Sequence, residues 1–328
     1  MSRQLGGVIQ TYRRRAGLTQ QQTADLAGLS VAALRDLEQG RVATPRPATL
    51  RRLAEALRLP AAELEELLRW AQPGRAPADD LWLRVLGPMS VRVDGVVLDL
   101  GSPRQRLLLG LLALRANTPL PAEALIEAVW GAQAPANAAD LLRTHVSRLR
   151  RRLRPGAAAG AAPLVATHGG YQLAATDNQV DVLMFRRLRQ RAQAARRDGD
   201  VEGARRLFAE AMRLWRGGPV ADLPALHWHP AVAELNQEWR TSVVEYAEVA
   251  AELGHHDEVL PWLRQVVDTD PWYEAAQARL LVALDGAGQR QAALSMFDQF
   301  RRRLADELGV DPGPDLLAAY RTVRRRAA

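Results

Sequence analysis

The chain has no cysteine among its 328 residues. That excludes disulfides, thiolate nucleophiles and Cys-ligated zinc. Lysine is missing too, because all 44 residues in the Lys+Arg count are arginines. P-loop lysines, Schiff-base lysines and lysine general bases are therefore ruled out, whereas arginine still grips phosphates and guanine edges with its planar fork. No run reaches the ~18–20 uninterrupted apolar residues of a membrane span. Met1-Ser2-Arg3-Gln4-Leu5 carries no signal-peptide pattern. A cytoplasmic protein without a membrane partner is expected. No phosphate-cradling glycine loop and no catalytic constellation stand out, so a non-enzyme without a cofactor is expected. His227-Trp228-His229 and His255-His256 lack the H-E-x-x-H spacing and paired carboxylates of a metal site and are set aside as ligands. Trp215, Trp228, Trp239, Trp262 and Trp272 sit at helical positions and read as core.

What is present is globular: 48% hydrophobic and 25% charged residues, in a length that suits two or three domains. The net charge of +7 is unevenly placed. Residues 1–77 carry 12 Arg against 7 acidic groups, residues 78–176 carry 11 against 7, and residues 177–328 carry 21 against 23. The positive excess lies in the first two regions, as steering towards nucleic acid requires.

In the first region, Thr19 caps a helix that begins at Gln20-Gln21-Gln22, Gly28 permits a tight bend, and Ser30 caps the next helix. Leu26, Leu29, Leu34 and Leu37 are expected to lock the two helices together. Val31, Ala32 and Arg35 fall on the opposite face, where a recognition helix meets base edges. Val31 and Ala32 offer only apolar contact, for instance to thymine methyls. Ala71-Gln72-Pro73-Gly74-Arg75-Ala76-Pro77-Ala78-Asp79-Asp80 then reads as a linker.

Short alternating strands follow at Leu81–Leu86, Ser90–Val93 and Val96–Leu98, with Asp94-Gly95 as a hairpin signal. Helices resume at Pro103. Within Asp140–Arg154, Leu142, Val146, Leu149 and Leu153 form one stripe at spacings of four, three and four. Arg143, Ser147, Arg150, Arg151 and Arg154 lie on the other side, flanked by Thr144 and Arg148. No acid follows Asp140 within the helix, so these like charges repel unless an anion neutralises them. A supporting helix, Glu123–Trp130, and the loop Gly131–Asn137 complete a helix-loop-helix. The composition of residues 155–163 is that of a flexible loop. It leads into a hairpin, Leu164–Thr167 and Tyr171–Leu173, expected to form a wing.

Beyond Val182 nothing reads as strand. Gly254–Leu263 aligns with Gly288–Phe297 at an offset of 34 residues, the tetratricopeptide period. Gly199–Phe208 has the same shape. Each helix pair exposes an apolar face that only a neighbouring pair covers, so a short stacked solenoid is expected. The expected fold is mainly α: a five-helix bundle at residues 1–70, a linker at 71–80, a winged helix with small antiparallel β elements at 81–176, and an α-solenoid at 177–325.

Residues 4–70, including Glu38-Gln39-Gly40-Arg41, resemble the Cro and phage-repressor type of helix-turn-helix. That resemblance implies phosphate contact by Gln20 and Arg41, and base contact by Val31, Ala32 and Arg35. Residues 81–176 resemble the OmpR-like winged helix. Residues 81–325 as a whole resemble the SARP family of actinobacterial activators. The motifs are Leu86-Gly87-Pro88, Pro103-Arg104-Gln105-Arg106, Val129-Trp130-Gly131, His145–Arg151, Gly170-Tyr171, Leu214-Trp215-Arg216-Gly217 and Asp306–Pro314. The resemblance implies a sequence-specific activator of secondary-metabolite (antibiotic) genes that binds promoter direct repeats and recruits RNA polymerase through sigma or core subunits. It leaves a homodimer on tandem repeats open. The implied DNA contacts of the winged helix are Arg104, Arg143, Thr144, Ser147, Arg148, Arg150, Arg151, Arg154, Thr167 and Tyr171, and the implied polymerase loop contains Gln133 and Asn137. A ligand-responsive repressor and a repeat scaffold that uses the N-terminal modules for assembly are the alternatives.

Overall fold

The computed structural model describes residues 2–39, 47–57, 59, 63, 81–93, 95–153 and 163–325. Arg41, Arg154, the 71–80 linker, Asp94, the fifth helix of the first bundle and most of the 155–163 loop lie outside the described residues. The chain divides into two compact units, Met1–Asp80 and Leu81–Ala328.

In the first unit, four helices are described: α1 (Ser2–Arg15), α2 (Gln20–Ala27), α3 (Val31–Glu38) and α4 (Pro47–Ala56). Thr19 and Gln22 form a reciprocal capping box at the start of α2, satisfying two amides that the helix leaves open. Gly28 takes the left-handed conformation (φ 62°) at the bend, which a side chain would resist. Ser30 Oγ accepts the Ala33 N–H at 3.1 Å. Ile9, Ala24, Ala27, Leu34, Leu37, Leu50 and Leu53 form the core. Leu26 does not join it and is 62% exposed, contrary to the sequence expectation. At about 100° per residue, a helix that turns Thr23, Ala24 and Ala27 inward must turn Leu26 outward.

The second unit opens with an antiparallel sheet in the order β1 (Trp82–Arg84), β2 (Ser90–Val93), β3 (Val96–Val97). Then come α5 (Pro103–Leu114), β4 (Leu120–Pro121), α6 (Ala122–Trp130), a short 3-10 turn over Gly131–Gln133, α7 (Ala138–Leu153) and the hairpin β5 (Leu164–Thr167) and β6 (Gly170–Leu173). The hairpin pairs through β6 with β4, so the second sheet runs β4-β6-β5. Leu142, Val146, Leu149 and Leu153 are all buried, as the stripe predicts.

The remaining helices are α8 (Asp181–Arg197), α9 (Val201–Arg213), α10 (Pro230–Glu252), α11 (His256–Thr269), α12 (Glu274–Gly286), α13 (Arg290–Leu308) and α14 (Pro314–Arg325). They pack as the pairs α8/α9, α10/α11 and α12/α13, with α14 against α12. Gly199, Gly254 and Gly288 sit in the turn of each pair. Ala204 and Phe208 in one pair, and Ala293 and Phe297 in another, are buried at matching positions. Arg186 bonds Glu238, Gln193 bonds Glu245 and Arg196 bonds Glu248, each across 52 residues. A constant offset means α8 and α10 run side by side in the same direction, the arrangement of stacked repeats. Trp215 and Trp239 are buried with ring centroids 5.5 Å apart. Trp228 overturns the core reading: it lies in a turn and is 95% exposed. No helix among the described residues is long and apolar enough to cross a membrane.

Winged helix and repeats share one hydrophobic core. β1 and the residues after it run against the repeats and the segment leading into them, with Leu83 N–H donating to Gln179 O at 2.8 Å and Val220 N–H to Val85 O at 2.8 Å. Asp181, the first residue of α8, accepts Val85 N–H at 2.9 Å and Leu86 N–H at 3.0 Å.

Candidate nucleic-acid interface

α7 is long enough to show three faces. The inner stripe fixes its orientation, and at about 100° per residue the other side chains divide into a summit and two flanks. Thr144 and Arg151 lie near the summit, opposite the stripe, and both are exposed. Arg143, Ser147 and Arg150 form the flank towards the wing. Arg148 and Arg152 form the flank towards α5, with His145 beneath them.

The wing flank is anchored. Arg150 Nε donates to the Leu164 carbonyl at 2.8 Å, and its guanidinium lies 6.0 Å from the centre of the Tyr171 ring. Arg150 is thus half-buried between helix and hairpin, where it ties the wing to α7. Arg143 pairs with Asp140, and both are well exposed. A pair of that kind is weak in water and opens readily for a phosphate. Thr144 Oγ1 donates back to the Asp140 carbonyl at 2.9 Å. Thr167 and Tyr171 are half-buried, on β5 and β6 respectively.

On the other flank, Arg104 at the start of α5 lies over the Trp130 ring at 5.9 Å, and Trp130 stands 5.8 Å from the His145 ring. Burial, with Arg148 and Arg104 adding repulsion, pushes the His145 imidazole below its ordinary value of 6.5. A neutral His145 adds no charge and serves as packing under the arginines. Arg148 and Arg151 are exposed and have no ion pair or hydrogen bond among the described residues. Arg152, which sequence reasoning did not select, donates to the Asp99 carbonyl and lines a cleft with Ser102, Gln105, Arg148 and Arg151. Its position at the edge of the apolar stripe hid it. The serine-proline start of α5 was the usable signal, because Ser102 caps and Pro103 begins the helix.

The loop before α7 carries Gln133 and Asn137, both exposed. The Asn137 backbone carbonyl accepts the Asp140 and Leu141 N–H groups at 3.0 and 3.1 Å, at the start of α7.

In the first unit, Ala32 and Arg35 are exposed and Val31 is half-buried on α3. Gln20 has a second commitment: its Nε2 donates to Glu38 Oε2 at 2.6 Å. Glu38 is buried and also accepts Arg13 Nε at 2.6 Å. The Arg13–Glu38 pair joins α1 to α3, and no short-range pattern could reveal it. Gln20→Ala should therefore cost about 1–2 kcal/mol of stability through the lost bond to a charged group. Faster amide exchange along α3 would register this; unchanged exchange would show that Arg13 alone holds Glu38.

Three family descriptions match the chain. They are a helix-turn-helix domain over residues 4–67, a transcriptional regulatory protein C-terminal domain over 98–173 and a bacterial transcriptional activator domain over 180–324. The regulatory protein DnrI of Streptomyces peucetius is 32% identical over 241 residues, covering 71% of this chain and 88% of that one. The regulatory protein AfsR of Streptomyces griseus is 35% identical over 251 residues, covering 76% of this chain and 25% of the relative. The chain thus spans about a quarter of AfsR. A solved structure of Mycobacterium tuberculosis EmbR, in complex with a low affinity phosphopeptide, superposes with a TM-score of 0.67 at 29% identity. That match covers 75% of this chain and 65% of the other.

Proposed function

The chain belongs to the SARP family of transcriptional regulators, and from that premise we propose that it activates secondary-metabolite genes by binding promoter direct repeats and recruiting RNA polymerase. The outward surface of α7 carries this reading. It presents Arg143, Thr144, Ser147, Arg148 and Arg151 to solvent on a rigid helix, with a wing set beside it by Arg150. Arginine forks at that spacing suit guanine edges and phosphates of a duplex whose major groove admits the helix. Arg104, Thr167 and Tyr171 add backbone contacts, which position the protein without reading sequence. Residues 1–70, 81–176 and 177–325 act as three modules, the last two sharing a core. The first module adds DNA contacts of its own, with Arg35 as the polar reader and Arg41 and Gln20 towards phosphate. Partners are double-stranded DNA, polymerase and a second copy on tandem repeats, which makes the protein nucleoid-associated.

Genome-wide mapping of bound sites, together with transcript changes on deletion, tests this. Repeated motifs upstream of biosynthetic genes whose transcripts fall on deletion are the expected result. Transcripts that rise would make the protein a repressor. Absence of bound sites, together with DNA affinity insensitive to salt, would make it a scaffold, because phosphate contact releases counterions and gives a steep salt slope.

The exposed loop residues Gln133 and Asn137 are assigned to polymerase. Gln133→Ala with Asn137→Ala should leave operator affinity within about twofold, since neither side chain supports the fold. Transcription in a reconstituted system should fall several-fold. Equal loss of binding and transcription would put the loop at the DNA.

A further inference from the structure

We propose that the cleft between the start of α5 and the C-terminal half of α7 is a built phosphate pocket that holds a DNA backbone phosphodiester. It adjoins the outward surface of α7, with which it shares Arg148 and Arg151, and the proposal rests on the DNA-binding reading above.

The cleft is lined by Ser102, Gln105, Arg148, Arg151 and Arg152. Three arginines therefore line a cleft at the amino end of a twelve-residue helix with no acid in its first turn. That end carries the positive pole of the helix dipole, and Arg104 there has a backbone N–H. Asp99 makes no ion pair with these arginines among the described residues: its carboxylate accepts the Gly101 N–H at 2.9 Å, and it is its carbonyl that takes Arg152.

A second observation points to a ligand. Gln105 is 3% exposed, yet its Oε1 has no hydrogen-bond partner. A buried amide left unpaired is costly. A half-turn about its last bond exchanges the oxygen for the donating nitrogen, which an oxyanion in the cleft would accept. The loop above is shaped for close approach: Gly101 has φ 77°, and a Cβ there would come within 2.9 Å of both Arg152 Nη2 and Gln105 Oε1.

The pocket's placement selects the source of the phosphate. It opens on the α5 flank of α7, while Arg143, Ser147 and Arg150 occupy the wing flank. A duplex with α7 in its major groove runs one backbone along each flank, so this pocket grips the strand that the wing does not.

The test uses the full chain and a mixed-sequence duplex, with affinity measured against salt. Ser102→Asp keeps an N-cap of equal quality but places a carboxylate in the cleft. Affinity should fall about tenfold and the salt slope by about one. Thr118→Asp, with the same charge change beyond the far end of α5, should bind as wild type, separating local occupancy from long-range repulsion. Equal affinity in Ser102→Asp, Thr118→Asp and wild type, with Arg143→Ala still weakening binding, would overturn the pocket and spare the α7 reading. Salt-insensitive binding by the wild type would remove both. A fourth arm compares stabilisation by inorganic phosphate. If Ser102→Asp loses that stabilisation while DNA affinity is unchanged, the cleft takes free phosphate and the DNA assignment fails.

Discussion

Replacing Asp181 with alanine should destabilise the second unit by about 2–6 kcal/mol at pH 5, because it orphans two buried amides at roughly 1–3 kcal/mol each. Those amides belong to Val85 and Leu86, at the end of β1, and Asp181 Oδ1 and Oδ2 are their acceptors. The loss would reach the β1-β2-β3 sheet as well as the repeats, since β1 and α8 meet at this carboxylate. Burial raises the carboxyl from its ordinary 3.8 to about 6, against the opposing pull of the backbone hydrogen bonds and of Arg216, 3.6 Å away. The sign of the pH dependence follows. A raised folded-state value means that the folded state holds the proton more tightly than the unfolded chain does. The group's contribution is therefore full below about pH 4 and declines as pH rises through 6, by up to about 3 kcal/mol at roughly 1.4 kcal/mol per unit. The cost of Asp181→Ala should shrink by about 1.4 kcal/mol between pH 5 and 7.5 in urea unfolding, the rest of the decline falling between pH 4 and 5. A cost that stays level or grows over this interval would show that the carboxylate is ionised in the fold at both values.

This junction also marks where sequence reading stops. Asp181 and Val85 lie 96 residues apart, and nothing in the local pattern of either segment announces the other. The stripe Leu142, Val146, Leu149 and Leu153 was legible because burial in a helix repeats every three or four residues. The same periodicity placed Arg143, Arg148, Arg150 and Arg151 on the polar side and left Arg152 unassigned at the edge of the stripe. It could not divide them, since the division depends on the Leu164 carbonyl and the Asp99 carbonyl, both supplied by distant segments. Leu26 and Trp228 failed for a related reason: apolar character alone does not say which way a residue faces. β4 is two residues long and pairs with β6 at Leu120↔Tyr171 and Pro121↔Gly170, too short for an alternation to show. Capping signals fared better because they are local; Thr19 and Ser30 cap as their spacing implies.

Joint replacement of Arg143 and Arg151 by alanine should have the largest effect on DNA. Each arginine that reads a base is worth about 1–3 kcal/mol, so the pair corresponds to roughly a 30- to 25,000-fold loss of affinity. Arg151 stands at the summit without a partner among the described residues, and its full contribution is available. Arg143 must first leave Asp140, an exposed pair worth at most about 1 kcal/mol, so the single Arg143→Ala should be the milder change. Neither side chain supports the core, and unfolding midpoints should be unaltered. Arg150→Ala should behave differently. It removes the bond to the Leu164 carbonyl and the contact with Tyr171, so about 1–2 kcal/mol of stability should go with the affinity. Salt titration then sorts the roles. A residue on phosphate lowers affinity uniformly across sequences and reduces the slope by about one, whereas a base reader relaxes preference at one position. If the double variant kept both its affinity and its salt slope, α7 would not be the helix that meets DNA, and the exposed arginines would be no more than a solvated face.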